Sequence, residues 1–600
     1  MCGIVGGVCL LGDPSGLRPW LTKAVSLLKP RGPESDGQFF EAQLALGATR
    51  LRIFDVSEEA DQPYRSEDGR YTMVFNGAIL NFKELKRALE GEGISFRTNS
   101  DTEVALAAIV KWGVKRALLE FEGMFAIALY DAFEKRLLLC RDKFGIKPLF
   151  YHHNDRFFGF SSEIKPLLAH PSVPRQVESS VVPEFFAFQT VMPPYTMFRD
   201  IFALTPGALM EVDVEAGRVV GHSRYWKPED EAGLGAANVD DLADAVTHSL
   251  RIAWRSDRDA GLQLSGGVDS SLLLALSYAR LRRDSVQNFS VVFDESRNHF
   301  ANARSEEPYI RRAAETFGAP VDCVEFPESD ISDALPEAIW RHEAPLYSAN
   351  SVLQMLHAKH LRDRVQVLIG GEGADDVFLG YFDGVALDGS ADQALKRYLG
   401  SEELTRLFGE GGASQATARR MELLTGERLR GLSASQRATV LTVETVLHGL
   451  LARHDRMFMG HGIEGRPPYC TASLLRVRFG LPDAAVHDGR IGKVALKEVA
   501  RRYFPDDFVY RKKQWLSGQV ADWCAQDRIW GKYIRGAAAS AVAHLLNPEI
   551  VERTRELPDD ATKWSGKKLA LQFAFTNFSL WHEIFIENDP TSSGVMHKFI

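Results

Sequence analysis

Residues 262–274 read Leu-Gln-Leu-Ser-Gly-Gly-Val-Asp-Ser-Ser-Leu-Leu-Leu: an apolar run, a Gly-rich turn, and a second apolar run opened by hydroxyl residues. The pattern predicts strand, loop and helix. Gly266 and Gly267 carry no Cβ, so the chain can turn tightly and present backbone N–H groups to a ligand, with Ser270 and Ser271 placed where a helix begins. Such a site takes an anion. No Lys follows the glycines in P-loop spacing, so phosphates held here are not arranged for γ-phosphoryl transfer. Asp269 would repel a phosphate unless a divalent cation bridged the two, which predicts Mg²⁺.

Working outward, a helix carrying Leu242, Val246 and Leu250, capped by Asp240 or Asp241, leads into the first strand. Residues 288–293 are the next strand candidate, 306–317 a helix and the segment near Val321 another strand. This alternation predicts a parallel, doubly wound α/β core. A second chemical block, residues 367–378, again ends an apolar run in glycines and carboxylates: Gly370, Gly371, Glu372, Asp375 and Asp376. Asp375 can share a cation with Asp269 at the carboxyl ends of the strands.

Six hundred residues exceed one hydrophobic core, and 45% apolar with 25% charged residues is ordinary for a globular chain of two or more domains. The net charge of −9, without a long basic run, argues against nucleic acid as partner. No apolar stretch reaches membrane-span length, so a cytoplasmic protein is expected. The cysteines at 2, 9, 140, 323, 470 and 524 have no CxxC spacing, which argues against disulfides and structural zinc; all but Cys2 are expected to be buried small apolar residues. Loss of Met1 would leave Cys2 with a thiol and a free α-amine. An amine with a pKa of about 7.7–8.0 can take the thiol proton, so nucleophile and base arrive on one residue.

The N-terminal motifs resemble a known family. Arg31-Gly32-Pro33 with Gly37, Arg50-Leu51, Phe75-Asn76-Gly77 and Ser100-Asp101-Thr102-Glu103 follow the order and spacing of class II glutamine amidotransferase domains, as do residues 122–126 and 141–149. Residues 265–271 resemble the pyrophosphate-binding loop of ATP pyrophosphatases. The block at 367–378, then 455–466, 492–497 and 511–514, recur in the order of the asparagine synthetases, so the whole chain resembles the glutamine-hydrolysing asparagine synthetase family.

The resemblance implies an N-terminal-nucleophile hydrolase (Ntn) αββα sandwich followed by an α/β ATP-pyrophosphatase domain with a helical C-terminal part. The divisions are residues 1–210, a linker over 211–238 and residues 239–600; residues from about 202 to 226 resemble the closing hairpin of the first domain, and 227–238 are a polar connection. In the first domain it implies Cys2 as nucleophile, Asn76 and Gly77 as oxyanion donors, and glutamine held by Arg50, Leu51, Ile53, Asn76 and Asp101. In the second it implies Glu372 and Lys493 as catalytic residues and Mg²⁺ on Asp269 and Asp375. ATP would be held by Leu264, Ser265, Gly266, Gly267, Asp269, Ser270, Val291, Gly370 and Gly371.

The implied activity converts a carboxylic acid, aspartate by default, to its amide through an acyl-adenylate, with release of AMP and PPi. Amidation of another biosynthetic acid, intramolecular amide closure as in β-lactam synthetases, and an inactive scaffold are the alternatives. Partners are then small molecules, and a homodimer is among the expectations. Several positions depart from the family pattern. Ala78 stands where a Glu normally helps to hold glutamine's ammonium, Gly370 replaces a Ser and Asp376 a Glu. Pro468-Tyr469-Cys470-Thr471 replaces Pro-Phe-Leu-Asp, and residues 342–351 lack the Thr-Thr-x-Arg that one branch uses for aspartate.

Overall fold

In chain order the strands of the computed structural model are β1 (Cys2–Cys9), β2 (Ser35–Glu41), β3 (Leu44–Arg50), β4 (Tyr64–Arg65), β5 (Tyr71–Ile79), β6 (Gly123–Asp131), β7 (Arg136–Arg141), β8 (Phe150–His153), β9 (Phe157–Ser161), β10 (Ile201–Ala203), β11 (Ala208–Asp213) and β12 (Arg218–Arg224). They build two antiparallel sheets, β10-β8-β9-β1-β3-β2 and β12-β11-β7-β6-β5-β4. Ile4, Val8 and Leu46 of the first sheet meet Val74, Ala128 and Leu139 of the second in a dry layer between them. The outer face of the first sheet is covered by helix Leu17–Leu28, that of the second by helices Phe82–Gly91 and Asp101–Trp112. The result is the αββα sandwich. The structure describes residues 2–292, 305–346, 348, 350–382, 401–425, 427–512 and 566–595; Phe293, Gln514, Cys524 and residues 525–565 lie outside them.

Residues 211–224, expected in the connection, belong to the second sheet: β11 pairs with both β7 and β12. They are the hairpin that closes it, with the largely solvent-facing β12 as edge strand, so the expected boundary at 210 falls too early. Residues 141–149 are a loop staple. The Arg141 guanidinium donates to the carbonyls of Gly145, Lys147 and Leu204, and the buried Asp142 carboxylate accepts from the N–H groups of Phe125, Phe144, Ile146 and Lys147.

The second domain is built on β13 (Ala260–Gln263), β14 (Asn288–Val291), β15 (Val321–Val324), β16 (Val367–Ile369) and β17 (Glu464–Arg466), all parallel in the order β15-β14-β13-β16-β17. The order reverses between β13 and β16, which places a ligand crevice at the carboxyl ends of those two strands. Helix Val239–Ala253 leads into β13, but its cap is Asn238, not Asp240 or Asp241: the Asn238 side chain accepts from both of their N–H groups, and Asp241 returns a bond to the Asn238 N–H. Cys9 and Cys323 are half-buried, where full burial was expected.

Helix Gly566–His582 and its continuation Glu583–Glu587 pack against both domains. Phe575 meets Phe186 at 4.8 Å between ring centroids, Trp581 meets Phe198 at 5.0 Å, and the Trp581 indole donates to the Glu343 carbonyl. A buried charge network joins the domains as well. Asp455 lies 2.9 Å from Arg31 and 2.9 Å from Lys147, while Lys165 reaches Glu343 at 2.9 Å. Burial raises the Asp455 carboxyl, yet Arg31 and Lys147 outweigh it and hold the group down at about 2.

Candidate functional site

The first site forms where β1 begins beside the end of β3. Cys2 stands opposite Arg50 in the ladder and is 3% exposed. Its backbone N–H donates to Asn76 Oδ1 at 3.3 Å, and the Gln62 amide donates to Sγ at 3.3 Å. Gln62 is fixed in turn by both backbone groups of Phe75. Asn76 Nδ2 donates to Ser162 Oγ, and Arg31 donates to the Cys2 carbonyl. Burial pushes the thiol up, with the chain's terminal amine and Arg50 pulling against it. Gly77 pairs with Phe125 of β6, and a Cβ there would collide with the Met124 carbonyl, so only Gly fits this crossing.

Arg50, Asp101, Asn76 and Cys2 are thus brought together. The terminal nitrogens of Arg50 donate to Asp61 and to the carbonyls of Phe54, Asp55 and Ser57, which ties down the loop holding Leu51 and Ile53. Asp61 is shared with Arg52, so this group of three charges retains one positive. Asp101, at the start of its helix, accepts from the Ile79 N–H at 2.9 Å. Its carboxyl is pushed up to about 7, by burial first, with Glu464 adding to the effect against the Ile79 N–H. Glu464 lies on β17 of the other domain, gripped by Arg466 at 2.5 Å. Its influence here is invisible in the sequence.

The second site lies at the switch point. The loop after β13 turns through Gly266 at φ +74°, where a Cβ would press on the backbone of Glu306 and Ile310. Ser265 is held by Ser270 through its N–H at 3.1 Å and its hydroxyl at 3.0 Å. Leu264 is fully buried, Val291 ends β14 beside it, and Gly371 brings the second loop so close that its Cβ would lie 3.3 Å from that of Asp269. Lys493, 4% exposed, stands between the carboxylates, 2.6 Å from Asp269 Oδ2 and 2.7 Å from Asp375 Oδ1. Burial lowers its ammonium, but Asp269 and Asp375 more than reverse this and hold it well above the usual lysine value. A Cβ at Gly380 would collide with both Asp375 and Lys493.

Glu372 lies 3.2 Å from the buried His454, which the sequence did not single out. Burial raises the Glu372 carboxyl, and the His454 charge overturns that and takes it to about 2. Among the described residues no group of three or more His, Cys, Asp or Glu is placed to hold a metal, and no helix is long and apolar enough to cross a membrane. Where the domains meet there is a small, mostly apolar void of about 10 Å³, lined by Leu80, Met124 and Ile146 of one domain and Ala253, Pro467 and Cys470 of the other. Leu80 follows the Ile79 that binds Asp101, and Cys470 Sγ reaches the Glu372 carbonyl at 3.8 Å.

An Ntn-type sandwich carrying Cys2, joined to a doubly wound α/β domain with a Gly-rich loop, defines a fused amidotransferase and synthase-type protein. Residues 1–226 match the glutamine amidotransferase domain family and residues 241–583 the asparagine synthase family. The chain belongs to the asparagine synthase family. It is 27% identical to the glutamine-hydrolysing asparagine synthetase 3 of Bacillus subtilis, over 94% of this chain and 95% of that one, and 27% identical to synthetase 1 of the same organism, over 100% and 99%. It is also 27% identical to the amidase chry2 of Gibberella zeae, over 64% of this chain and 59% of that one.

Proposed function

We propose that the chain is an ATP-dependent, glutamine-hydrolysing amidoligase that converts a carboxylic acid, L-aspartate foremost, to its amide through an acyl-adenylate. The observation that carries the reading is one chain holding two sites: a buried Cys2 beside Arg50 and Asn76 in the sandwich, and a Gly-rich loop at the switch point of the parallel sheet with Lys493 set between Asp269 and Asp375. With Met1 removed, the Cys2 nitrogen that now donates to Asn76 becomes the amine that takes the thiol proton. Asp101 holds the α-ammonium of glutamine and Arg50 its α-carboxylate, which takes the place of a loop carbonyl or Asp61 on the guanidinium, and Asn76 with Gly77 stabilises the oxyanion.

In the second domain Leu264, Ser265, Gly266, Gly267, Ser270, Val291, Gly370 and Gly371 form the ATP cradle. Lys493 carries the positive charge that meets the leaving PPi. Asp269 and Asp375 present only hard carboxylate oxygens, a donor set that fits Mg²⁺ shared with nucleotide phosphates. The metal would neutralise phosphate charge there. Glu372 is the base that takes a proton from nitrogen as the amide forms.

A second reading, amidation of another biosynthetic acid, is favoured by the cations near the expected acceptor segment. Arg341 is engaged by Glu337 at 2.8 Å and by the Gly460 carbonyl, and burial lowers His357 to about 3, so it is neutral. Neither offers an obvious partner for an α-carboxylate. The test supplies ATP, Mg²⁺, glutamine and a panel of acids and measures AMP, PPi and amide; absence of all three with every acid sinks the enzymatic reading. Cys2→Ala should abolish glutamine-dependent turnover and spare ammonia-dependent turnover. Rescue of an asparagine auxotroph by the wild type but not by Asp269→Ala would identify aspartate as the acceptor.

A further inference from the structure

Glu372 is held between its own turn and His454, a residue far along the chain. Its carboxylate folds back over Gly370, where a Cβ would collide with Oε2. Its Oε1 lies 3.2 Å from Nδ1 of His454, which is 3% exposed on helix His448–Met459. The imidazole lies against the backbone of Gly465 in β17, where a Cβ would collide with Nε2 and Cδ2, and its ring meets Phe458 at 4.7 Å between centroids. A side chain at 370 would expel the carboxylate, and one at 465 would expel the ring.

We propose that His454 is a positioning residue for amide formation, holding the Glu372 carboxylate in the orientation that receives a proton from the attacking nitrogen. This rests on the reading of Glu372 as the base in an adenylating amidoligase. The two half reactions differ in what they ask of that pair. In adenylation an acceptor carboxylate oxygen bonds to the α-phosphorus and the bond to PPi breaks, with no proton taken from the acceptor. In amide formation the ammonia nitrogen bonds to the acyl carbon and the C–O bond to AMP breaks, its electron pair leaving with AMP. One N–H proton must then depart, and Glu372 accepts it. His454 therefore serves the second half reaction alone.

The experiment uses the full chain and reads the half reactions separately, by acid-dependent ATP–PPi exchange and by ammonia-dependent amide formation. His454→Ala should keep exchange within about threefold of wild type and lower kcat for amide formation by about tenfold or more, with KM for the acid little changed. His454→Gln, which still presents an N–H toward the carboxylate, should recover part of that kcat. Gly465→Ala keeps the imidazole but displaces it, so it should reproduce the split even if His454→Ala fails to fold. Equal losses in both assays, or undiminished amide formation in both variants, would overturn the proposal. Wild-type protein that exchanges PPi with no acid would overturn the adenylation reading itself, a failure recognisable before any variant is made.

Discussion

Lys493→Met removes the ammonium between Asp269 and Asp375 and keeps most of the side-chain volume. The two oxygens lie 2.6 and 2.7 Å from Nζ. They are therefore no more than about 5 Å apart, a separation at which two unit charges in a medium of effective dielectric about 20 repel by about 3 kcal/mol. Loss of one partner from a buried charge cluster typically costs about 3–5 kcal/mol, so the electrostatic figure accounts for most of the expected destabilisation. Wild-type Lys493 is held above the usual lysine value. Its contribution is therefore complete below that value and is lost only as pH rises through the raised one, leaving it constant over the neutral range. The variant behaves differently: protonating either carboxylate ends the repulsion, so its deficit should be large at about pH 7.5 and shrink as pH falls into the carboxylate range. Thermal unfolding across pH, with and without Mg²⁺, measures this, and ATP–PPi exchange should fall by about 10²–10³-fold. A variant as stable as wild type at neutral pH, or one whose deficit ignores pH, would refute the reasoning.

Asp101 has a folded-state pKa of about 7, raised by burial, so the fold's advantage from binding its proton is full below the ordinary aspartate range and lost as pH rises through about 7. Asp101→Asn should therefore raise the unfolding midpoint more at about pH 8.5 than at about pH 5 while abolishing glutamine use; equal shifts at both would contradict this. Ala78→Glu adds a carboxylate on the same face of β5 as Asn76 and should lower the glutamine KM by an amount worth about 1.5–3 kcal/mol, whereas an unchanged KM would mean the pocket is built for something else. Asp455→Asn leaves Lys147 uncompensated in the domain interface and Arg31 with Glu163 as its remaining partner, and should cost about 3–5 kcal/mol, seen in calorimetry as earlier melting.

Much of this was legible in the sequence because the chemistry is written in contiguous runs. Ser265 to Ser271 and Gly370 to Asp375 each compress a strand end, a turn and its polar groups into a few positions, and they meet as expected. Asp269 and Asp375 do converge, though across an ammonium from Lys493. What could not be read depends on contacts between residues hundreds of positions apart. Nothing near Glu464 says that it adjusts Asp101, and nothing near Asp455 names Arg31 and Lys147 as its partners. The closing hairpin was legible as such, but the boundary at 210 cut through it, because β11 is tied to the sheet by its pairing with β7, about 70 residues earlier. Asn238 caps its helix in place of the neighbouring Asp residues because it alone can accept from both of their N–H groups.

Helix Gly566–His582 sets a timetable for synthesis. Phe186 and Phe198 emerge from the ribosome with their domain, but their partners Phe575 and Trp581 follow roughly 390 residues later, a delay of about 20–80 s at ordinary elongation rates. Through that interval the nascent chain carries an uncovered aromatic face on a domain whose sheets are already complete. Such a face is adhesive, so chains halted before residue 566 should be captured by chaperones or aggregate, and slowing translation late in the message should lower soluble yield more than slowing it early.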